Sequence, residues 1–418
     1  MKQIRKTTVG AVTVTIALGL TACSGDGESD TQGTEVAGDV SIEWWLPNWD
    51  EEPADQVLAD FAEVHPEIEV ETVITTWDTM ANQIRVALDS GTVPDVITEL
   101  TSRIPIYGRE GQLVDVAQWF DDEMPLDDFY DTAIDAASLD GAIYGVPFRW
   151  DASSMIYNKE LFEQAGIESA PTTWAQLQEA AKALQDIGVY AYGWPFGDPG
   201  NATVRWLNEY YTQGGEFAEE SDGTVGIDAD ASERAIEVVT EGFDEGYVTP
   251  SSLEASNTDL DNLFINGQIA FYSEGAYAIK PIQEAGIDVG TAMWPGPDGP
   301  GTVSADGFSY IVPEGAENLE AVETLVKFLA LPENQVLMTH TFPARYSAAE
   351  DESFSDPLLQ PFLKQQSEYA MKLPSFVGWE ELKVTIHGAL QSVALGNQSV
   401  AEANAAIIQH AESILRVS

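Results

Sequence analysis

The chain has 418 residues, and its 70 Asp and Glu against 18 Lys and Arg give a formal net charge of −52 at pH 7. So large an acidic excess leaves no basic patch to neutralise phosphates, which excludes nucleic acid as a partner. It also disfavours adhesion to anionic lipid and is typical of a solvated surface that keeps a protein soluble. Because single hydrophobic cores rarely exceed about 250–300 residues, this length predicts two lobes.

The N-terminal segment has the layout of a secretory signal. Basic residues within the first six positions precede an uncharged run from Thr7 to Ala22, which is short for a membrane-spanning helix. The run ends in Leu-Thr-Ala-Cys, and Cys23 is the one cysteine of the chain. This ending resembles the lipobox of bacterial lipoproteins, which implies a signal peptide at 1–22 and lipidation of Cys23. An ordinary signal peptide with a cysteine near its cleavage site is the alternative.

Residues 23–38 contain mostly Ser, Gly, Asp, Glu and Thr, with little that could be buried. This composition predicts a flexible acidic tether. No later stretch approaches the roughly 20 apolar residues of a membrane span. We therefore expect an exported globular body that a lipid anchor holds on the outer face of the cytoplasmic membrane.

From residue 40 onward the chain alternates between strand and helix patterns. In chain order, VSIEWWL predicts a strand, EPADQVLADFAEVHP a helix, IEVETVI a strand, WDTMANQIRVALDSG a helix, PDVITEL a strand and REGQLVDVAQWF a helix or turn. AIYGVPFRW is extended, SSMIYNKELFEQAG passes from strand to helix, and TTWAQLQEAAKALQDIG is a helix with a Thr cap and a Gly stop. LDNLFINGQIAFYSEGAYAIKPI reads as helix, strand and helix start, EAVETLVKFLALPENQ as a helix, and the last 50 residues as mostly helical. Such alternation predicts an α/β protein with helices outside parallel or mixed sheets.

Six segments occur in an order that is itself informative. They are FAEVHPEIEVE, SGTVPDVI, YGVPFRWDASSMIYNKELFEQAGI, FINGQIAFYSEGAYAI, GFSYIVPEGAENLEAVETLVKFL and FPARYSAAED. Together they resemble the family 1 extracellular solute-binding proteins, the carbohydrate-binding components of ABC importers. The resemblance covers nearly the whole chain after the tether.

The resemblance implies a two-lobed periplasmic-binding-protein-like fold of type II, with a ligand cleft between lobes joined by crossing strands. It places the crossings near 145–150 and 294–306. Lobe 1 is then expected at 39–147 and 305–345, and lobe 2 at 148–304 and 346–418. Ligand capture by hinge closure follows from this architecture.

A sugar offers apolar C–H faces to aromatic rings, and its hydroxyls need directed donors and acceptors. Residues of these types stand in the turn after the first strand, after PDVITEL, in the first crossing strand and around YSEGAYA. The resemblance adds a sugar-binding carboxylate at Asp151, a stacking ring at Tyr277 and another at Trp379, and contacts from the regions of Asp306 and Arg345. One of Trp194 and Trp206 is expected in the core. The candidate ligand-binding residues are Asn48, Trp49, Glu99, Arg103, Arg149, Trp150, Asp151, Trp194, Trp206, Glu274, Tyr277, Asp306, Arg345 and Trp379.

Catalytic readings find little support. The four His are scattered without metal-ligand spacing, and the sequence contains no H-E-x-x-H, G-x-S-x-G, P-loop or dinucleotide fingerprint. We expect no enzyme activity, no cofactor and no bound metal. Without a P-loop the chain cannot drive transport, so the hypothesis requires separate permease and ATPase subunits. A monomer is expected.

Aromatic rings and carboxylates could instead form a cage for a cationic solute such as a polyamine or a betaine. Arg149, Arg345 and Arg103 disfavour this alternative because they would repel a cation. Few other Lys or Arg are present to bind a phosphorylated sugar. A neutral di- or oligosaccharide is therefore the favoured ligand.

Overall fold

The computed structural model describes residues 40–219, 225–376 and 378–414. The predicted signal peptide, the tether and Cys23 lie outside the described residues. The chain from Asp39 to Ser418 forms one compact unit. None of the helices in the described ranges is both long enough and apolar enough to cross a membrane.

Strands and helices alternate along the chain, as the sequence patterns predict. The strands are β1 (Val40–Pro47), β2 (Ile68–Thr75), β3 (Val96–Leu100), β4 (Ser138–Leu139), β5 (Ala142–Ile143), β6 (Val146–Ala152), β7 (Ser154–Asn158), β8 (Tyr190–Tyr192), β9 (Phe217–Glu219), β10 (Val225–Ile227), β11 (Ile269–Glu274), β12 (Val289–Ala292), β13 (Val303–Ile311) and β14 (Ala370–Lys372). The helices are α1 (Glu51–Val64), α2 (Trp77–Ser90), α3 (Ile104–Arg109), α4 (Asp131–Ala136), α5 (Lys159–Gln164), α6 (Trp174–Asp186), α7 (Pro199–Thr212), α8 (Ala229–Asp244), α9 (Asn257–Ile265), α10 (Ile279–Glu284), α11 (Leu319–Leu329), α12 (Pro332–Met338), α13 (Tyr346–Ala349), α14 (Gln360–Glu368), α15 (Trp379–Ala394) and α16 (Val400–Ile414).

The first large sheet has the strand order β14-β13-β3-β1-β2, with β6 paired to β13 as well. β1 runs parallel to both β2 and β3, so the carboxyl ends of these three strands meet at one edge of the sheet. β13 runs antiparallel to β3 and β6 and parallel to β14. The alternation in β1 buries Ile42, Trp44 and Leu46, which places Trp44 rather than Trp45 fully in the core.

The second large sheet has the order β12-β7-β11-β8. β7 is antiparallel to β12 and β11, whereas β11 and β8 are parallel. The chain passes from the first sheet to the second at Ser153, between β6 and β7, and returns between Ala292 and Val303. Both sheets are mixed, which confirms the predicted α/β class.

Local signals explain several element boundaries. The Thr173 hydroxyl accepts a hydrogen bond from Gln176 N at the start of α6, as the TTW pattern predicts. α2 ends at Gly91, whose φ of 68° lies in the left-handed region that favours glycine. The REGQLVDVAQWF segment forms only a short 3-10 turn at Ala117–Trp119 rather than a full helix.

Candidate functional site

A cavity of about 300 Å³ lies where the two crossing segments meet both large sheets. The ends of β3, β6 and β11, the first turns of α7, and β13 all contribute to its wall. Four of the predicted ligand-binding residues, Asp151, Glu274, Tyr277 and Asp306, are among its lining residues. The others are Leu100, Ala152, Ser153, Asn201, Val204, Arg205, Asn257, Gly275, Ser304, Ala305, Gly307, Phe308 and Leu373.

Two carboxyl groups face each other in the crossing strands. Asp151 of β6 and Asp306 of β13 are register partners in the antiparallel ladder. Burial raises the pKa of Asp151 to about 6; the Arg149 charge opposes this rise, and the Asp306 charge adds to it. Burial likewise raises the pKa of Asp306, although hydrogen bonds from Ser102 N (3.1 Å) and Ser102 Oγ (2.6 Å) favour its charged form.

Glu274 ends β11 and is one of the residues that line the cavity. Its Oε1 accepts hydrogen bonds from Gly275 N at 2.9 Å and from the Tyr277 hydroxyl. Its Oε2 is buried and has no hydrogen-bond partner among the described residues. Tyr277 is 52% exposed, so its ring is available to a ligand. A Cβ on Gly275 would lie 2.4 Å from the Tyr277 ring, so glycine is what leaves room for this arrangement.

Arg205 is a buried cation of the cavity wall that sequence reasoning missed. Its Nη2 donates to Ser273 O at 2.8 Å and its Nη1 to Ser273 Oγ at 3.3 Å. Its Nε is buried without a hydrogen-bond partner in the described part of the chain. Burial lowers the pKa of Arg205, and the nearby Glu274 charge opposes this change.

Helix α7 explains how Arg205 reaches the cavity. Asp198 caps the helix by accepting a hydrogen bond from Asn201 N at 2.7 Å, and Pro199 occupies its first turn. Asn201, Val204 and Arg205 follow at helical spacing and therefore share one face. The Asp-Pro pair was the signal that could have revealed this helix and its cavity-facing residues.

The remaining predicted residues of the first crossing strand serve the interior instead. Arg149 Nη2 lies 2.6 Å from Asp50 Oδ1 and 2.8 Å from Met338 O, and both members of the ion pair are buried. Trp150 is fully buried. Neither Arg149 nor Trp150 lines this cavity, because the first is held by Asp50 and Met338 and the second is enclosed in the core.

Glu99 and Arg103 pair with each other rather than lining the cavity. Glu99 is fully buried and accepts hydrogen bonds from Leu100 N (2.7 Å), Arg103 Nη1 (3.2 Å) and Tyr107 Oη (3.1 Å). Burial raises the pKa of Glu99 despite these partners. Of this segment, the residue that lines the cavity is Leu100.

Four further candidates lie in the interior. Arg345 is buried: its Nε donates a hydrogen bond to Asp128 Oδ2 at 2.7 Å, and its Nη1 donates one to Ala330 O at 2.9 Å. Trp194 packs against Tyr192 and Trp294. Both Trp206, which stacks on Tyr210, and Trp379, which packs on Phe217 and Phe376, are likewise buried. The three tryptophan rings contribute to the core and Arg345 is held by its ion pair, and none of the four residues lines this cavity.

Asn48 and Trp49 form a 3-10 turn directly after β1. Asn48 is exposed and Trp49 is half-buried. Trp49 does not line the cavity, but its ring lies 6.0 Å from that of Phe308, which does. These two predicted residues therefore border the site rather than enclose it.

Charges of both signs converge on this cavity. Asp151, Glu274 and Asp306 supply acceptors, and Arg205 supplies a buried donor. Within residues 40–219, 225–376 and 378–414, no group of three or more acidic, His or Cys side chains is placed to hold a metal ion. The arrangement is suited to binding a polar solute that carries both donors and acceptors.

Two α/β halves joined by crossing strands, with a polar cavity at the crossings, define a solute-binding protein. The sequence profile of the family described as bacterial extracellular solute-binding protein matches residues 47–336. The chain therefore belongs to this family, whose members bind solutes rather than catalyse reactions.

Relatives and solved structures support the same assignment. The chain is 26% identical over 384 residues to a maltooligosaccharide ABC transporter solute-binding lipoprotein of Streptococcus pneumoniae, covering 87% of this chain and 86% of that protein. It is 24% identical to a galactooligosaccharide-binding protein of Bacillus subtilis, over 99% of this chain and 97% of the relative. The sugar-binding protein MalE of Xanthomonas citri has a TM-score of 0.81 at 22% identity, over 90% of this chain and 97% of that one. This likeness confirms the two-lobed type II fold.

Proposed function

We propose that the protein captures a neutral sugar, a di- or oligosaccharide, and delivers it to the permease of an ABC importer. The observation that carries this proposal is a set of buried polar atoms that belong to residues lining one cavity and that have no hydrogen-bond partner among the described residues. They are Glu274 Oε2, Arg205 Nε and Asn257 Oδ1. Buried polar atoms are ordinarily hydrogen-bonded, so a ligand able to pair all three gains affinity.

These atoms have opposite requirements. Glu274 Oε2 and Asn257 Oδ1 need donors, whereas Arg205 Nε needs an acceptor. A hydroxyl group can act in either role, so a polyol satisfies the whole set. An anion would be repelled by Asp151, Glu274 and Asp306, and a cation without acceptor atoms would leave Arg205 Nε unpaired. The exposed Tyr277 ring adds a platform for the apolar face of a sugar.

Ligand capture is proposed to occur by hinge closure about the two crossings. Strand membership supports a crossing at Ser153 and another between Ala292 and Val303. The lobes proposed from the sequence are 39–147 with 305–345 and 148–304 with 346–418, although β14, which lies in the last of these segments, pairs with β13 in the first sheet. A sugar that bridges Asp306 of the first sheet and Glu274 of the second would favour the closed form.

The proposed setting is the outer face of the cytoplasmic membrane, with the protein held there as a monomer through lipid on Cys23. Membership of an extracellular solute-binding family supports export. The Streptococcus pneumoniae relative is named a lipoprotein and an ABC transporter component, which supports the anchor and the permease partner. The ATPase is a separate subunit.

A thermal-shift panel tests the ligand class. The purified protein is melted with maltose, trehalose, sucrose, cellobiose, raffinose and longer glucans, and with spermidine and glycine betaine. A ligand that binds only the folded state raises the melting temperature by mass action. We expect a rise with one class of glycan. A rise in melting temperature with spermidine or glycine betaine, and with none of the sugars, would overturn the sugar proposal in favour of an aromatic cage for an ammonium group.

Variants then test the site. Titration calorimetry with the stabilising sugar should show affinity at least about tenfold weaker for Asp151→Ala and for Tyr277→Ala, because each removes a direct contact. Tyr190→Ala is the matched control, since it removes an exposed ring that does not line the cavity. Unchanged affinity in Tyr277→Ala would remove that ring from the site.

A further inference from the structure

A row of three aromatic rings leads from the cavity to the protein surface. Phe308 lines the cavity, and its ring centroid lies 6.0 Å from that of Trp49. Trp49 in turn lies 6.1 Å from Trp77, the first residue of α2. We call Phe308, Trp49 and Trp77 the aromatic row.

The order of strands in the first sheet explains why these rings align. Trp49 follows β1 and Trp77 follows β2, and both strands run parallel in register up to the pair Pro47 and Thr75. Leu100, which ends the parallel strand β3 on the other side of β1, lines the cavity. Neighbouring strands lie about 4.8 Å apart. The ends of β3, β1 and β2 therefore lie at increasing distances from the cavity along one edge of the sheet.

At the outer end of the aromatic row, large apolar side chains are exposed to solvent. Trp77 is 56% exposed, and Val73 and Ile74 of the preceding strand are exposed as well. Asn48, in the same turn as Trp49, is also exposed. An exposed ring and an exposed amide are the two kinds of group that a sugar unit contacts.

Contacts with Arg149 and His340 hold the inner part of the aromatic row in place. The Arg149 guanidinium lies 5.3 Å from the Phe308 ring centroid and is paired with Asp50, the residue after Trp49. His340 Nε2 lies 2.5 Å from Trp49 O and fixes the backbone of the same turn. Rings held in place before binding lose little freedom when a ligand docks on them, which favours affinity.

We propose that the aromatic row is an outer binding surface that extends the cavity, so that the ligand is a linear oligosaccharide whose outer units lie on Trp49 and Trp77. This inference rests on the proposed function, because it assumes that the cavity holds a sugar. Trp77 acts as a length-determining residue: it contacts only those chains long enough to leave the cavity. Because Phe308 of the aromatic row also lines the cavity, a ligand bound in the cavity can extend along the row. For this reason the proposed occupant of the row is the outer part of the same glycan rather than a second molecule.

Calorimetry with glycans of increasing length tests the proposal. The probes are the maltooligosaccharides from maltose to maltohexaose and galactooligosaccharides of matching length. In the wild type, affinity should rise with chain length. Trp77→Ala should weaken binding of the longest probes about fivefold to tenfold and leave the disaccharides unchanged, since only long chains reach the ring. Trp77→Tyr should retain most of the length dependence, and Tyr190→Ala, another exposed ring, all of it.

The possible outcomes distinguish the proposal of an outer binding surface from the proposal that the cavity binds a sugar. Equal affinity of Trp77→Ala and wild type at every length would overturn the outer surface and leave the cavity proposal intact. Equal loss at every length would assign Trp77 to the cavity as a whole and would also overturn it. If no probe of either series binds the wild-type protein, the proposal of a linear oligosaccharide is overturned, whereas the sugar proposal itself is decided by the thermal-shift panel. Melting curves without ligand show whether the variants fold, and Trp77→Gln serves in place of Trp77→Ala if the latter does not.

Discussion

Gly307 shows how closely the two crossing strands approach each other. It pairs with Trp150 in the ladder between β13 and β6. A Cβ built on it would lie 1.9 Å from the Arg149 carbonyl oxygen and 2.9 Å from the Trp150 Cα. Because these are backbone atoms within a sheet, they cannot rotate away as the end of a flexible side chain could. The ladder that holds Asp306 of β13 opposite Asp151 of β6 therefore depends on the absence of a side chain at Gly307.

Gly307→Ala should lower the free energy of unfolding by about 2–3 kcal/mol or more, since the added carbon overpacks a rigid ladder. Urea denaturation followed by circular dichroism measures this change. Gly299→Ala is the control: a Cβ there meets nothing within 4 Å. Equal stability of the two variants would show that the crossing strands can separate more easily than their packing indicates.

The sequence predicted only some of the residues that line the cavity. Four of the candidate residues, Asp151, Glu274, Tyr277 and Asp306, line the cavity, whereas Arg345 and Trp379, which the resemblance also implied, do not. The sequence could not reveal that Arg149 and Arg345 are neutralised internally, because any of 70 acidic residues might have been their partners. The structure names those partners as Asp50 and Asp128, which are distant in sequence.

Helix α7 connects the cavity to the second crossing. One side of it carries Arg205, which donates to Ser273 of β11, and Asn208, whose Oδ1 accepts hydrogen bonds from Ser304 N at 2.7 Å and Ser304 Oγ at 2.8 Å. Glu209 accepts a hydrogen bond from Trp294 Nε1 at 2.9 Å. Burial raises the pKa of Glu209 to about 7, and the Trp294 hydrogen bond only partly opposes this rise.

Glu209 should make the protein less stable as pH rises. The unfolded state releases this proton near pH 4.5 and the folded state near pH 7, so folding loses stability between these values as pH increases. Glu209→Gln keeps the shape and the acceptor for Trp294 but removes the buried charge. At pH 8 it should be more stable than wild type by on the order of 2 kcal/mol, and near pH 4 the difference should vanish.

Melting temperatures of both proteins from pH 4 to 8 test this expectation. Glu245→Gln, which removes an acidic group near the end of α8 where no buried charge is involved, is the control. Parallel curves for wild type and Glu209→Gln across the whole range would show that Glu209 does not titrate in the folded protein.

Elements with regular periodicity were predicted well, and α7 shows why others were not. Its sequence begins in a Gly- and Pro-rich stretch, YGWPFGDPGN, which favours a loop when read residue by residue. The helix forms because Asp198 and Pro199 cap it and because Trp206 and Tyr210 bury their rings in the core. That second cause is tertiary packing, which no local pattern contains.

On the scale of the whole molecule, the net charge of −52 implies strong mutual repulsion among surface carboxylates. Among the described residues, several cations already pair with acidic partners, as Lys327 does with Asp121 and Glu323. The acidic excess therefore remains largely uncompensated by the chain itself, and dissolved cations must screen it.

Raising NaCl from about 10 mM to 500 mM should raise the melting temperature, because the Debye length shrinks from about 30 Å to below 8 Å and the repulsion is screened. The same titration at about pH 4.5, where many carboxylates are neutral, is the control and should give a smaller gain. A melting temperature that falls with salt at pH 7 would mean that surface ion pairs outweigh the repulsion.

The two-lobe expectation from chain length agrees with two large sheets, but length could not reveal how the chain is shared between them. All strands of the second sheet come from residues 154–292, inserted between strands of the first. The last helices then return to this inserted part: α15 packs on α7, and α16 on α8. Thr203 of α7 donates to Lys383 O of α15 at 3.1 Å.

The order of the strands and helices along the chain determines when the residues of the cavity become available during synthesis. When the ribosome has made β11 with Glu274, the cavity still lacks Asp306, and when β13 appears, the helix that bears Arg205 still lacks its cover. The final helices contribute no side chain to the cavity wall, yet they complete the support of α7. The set of side chains that lines the cavity is therefore complete only when Leu373 has been synthesised, and the support of α7 is complete only when α15 has followed.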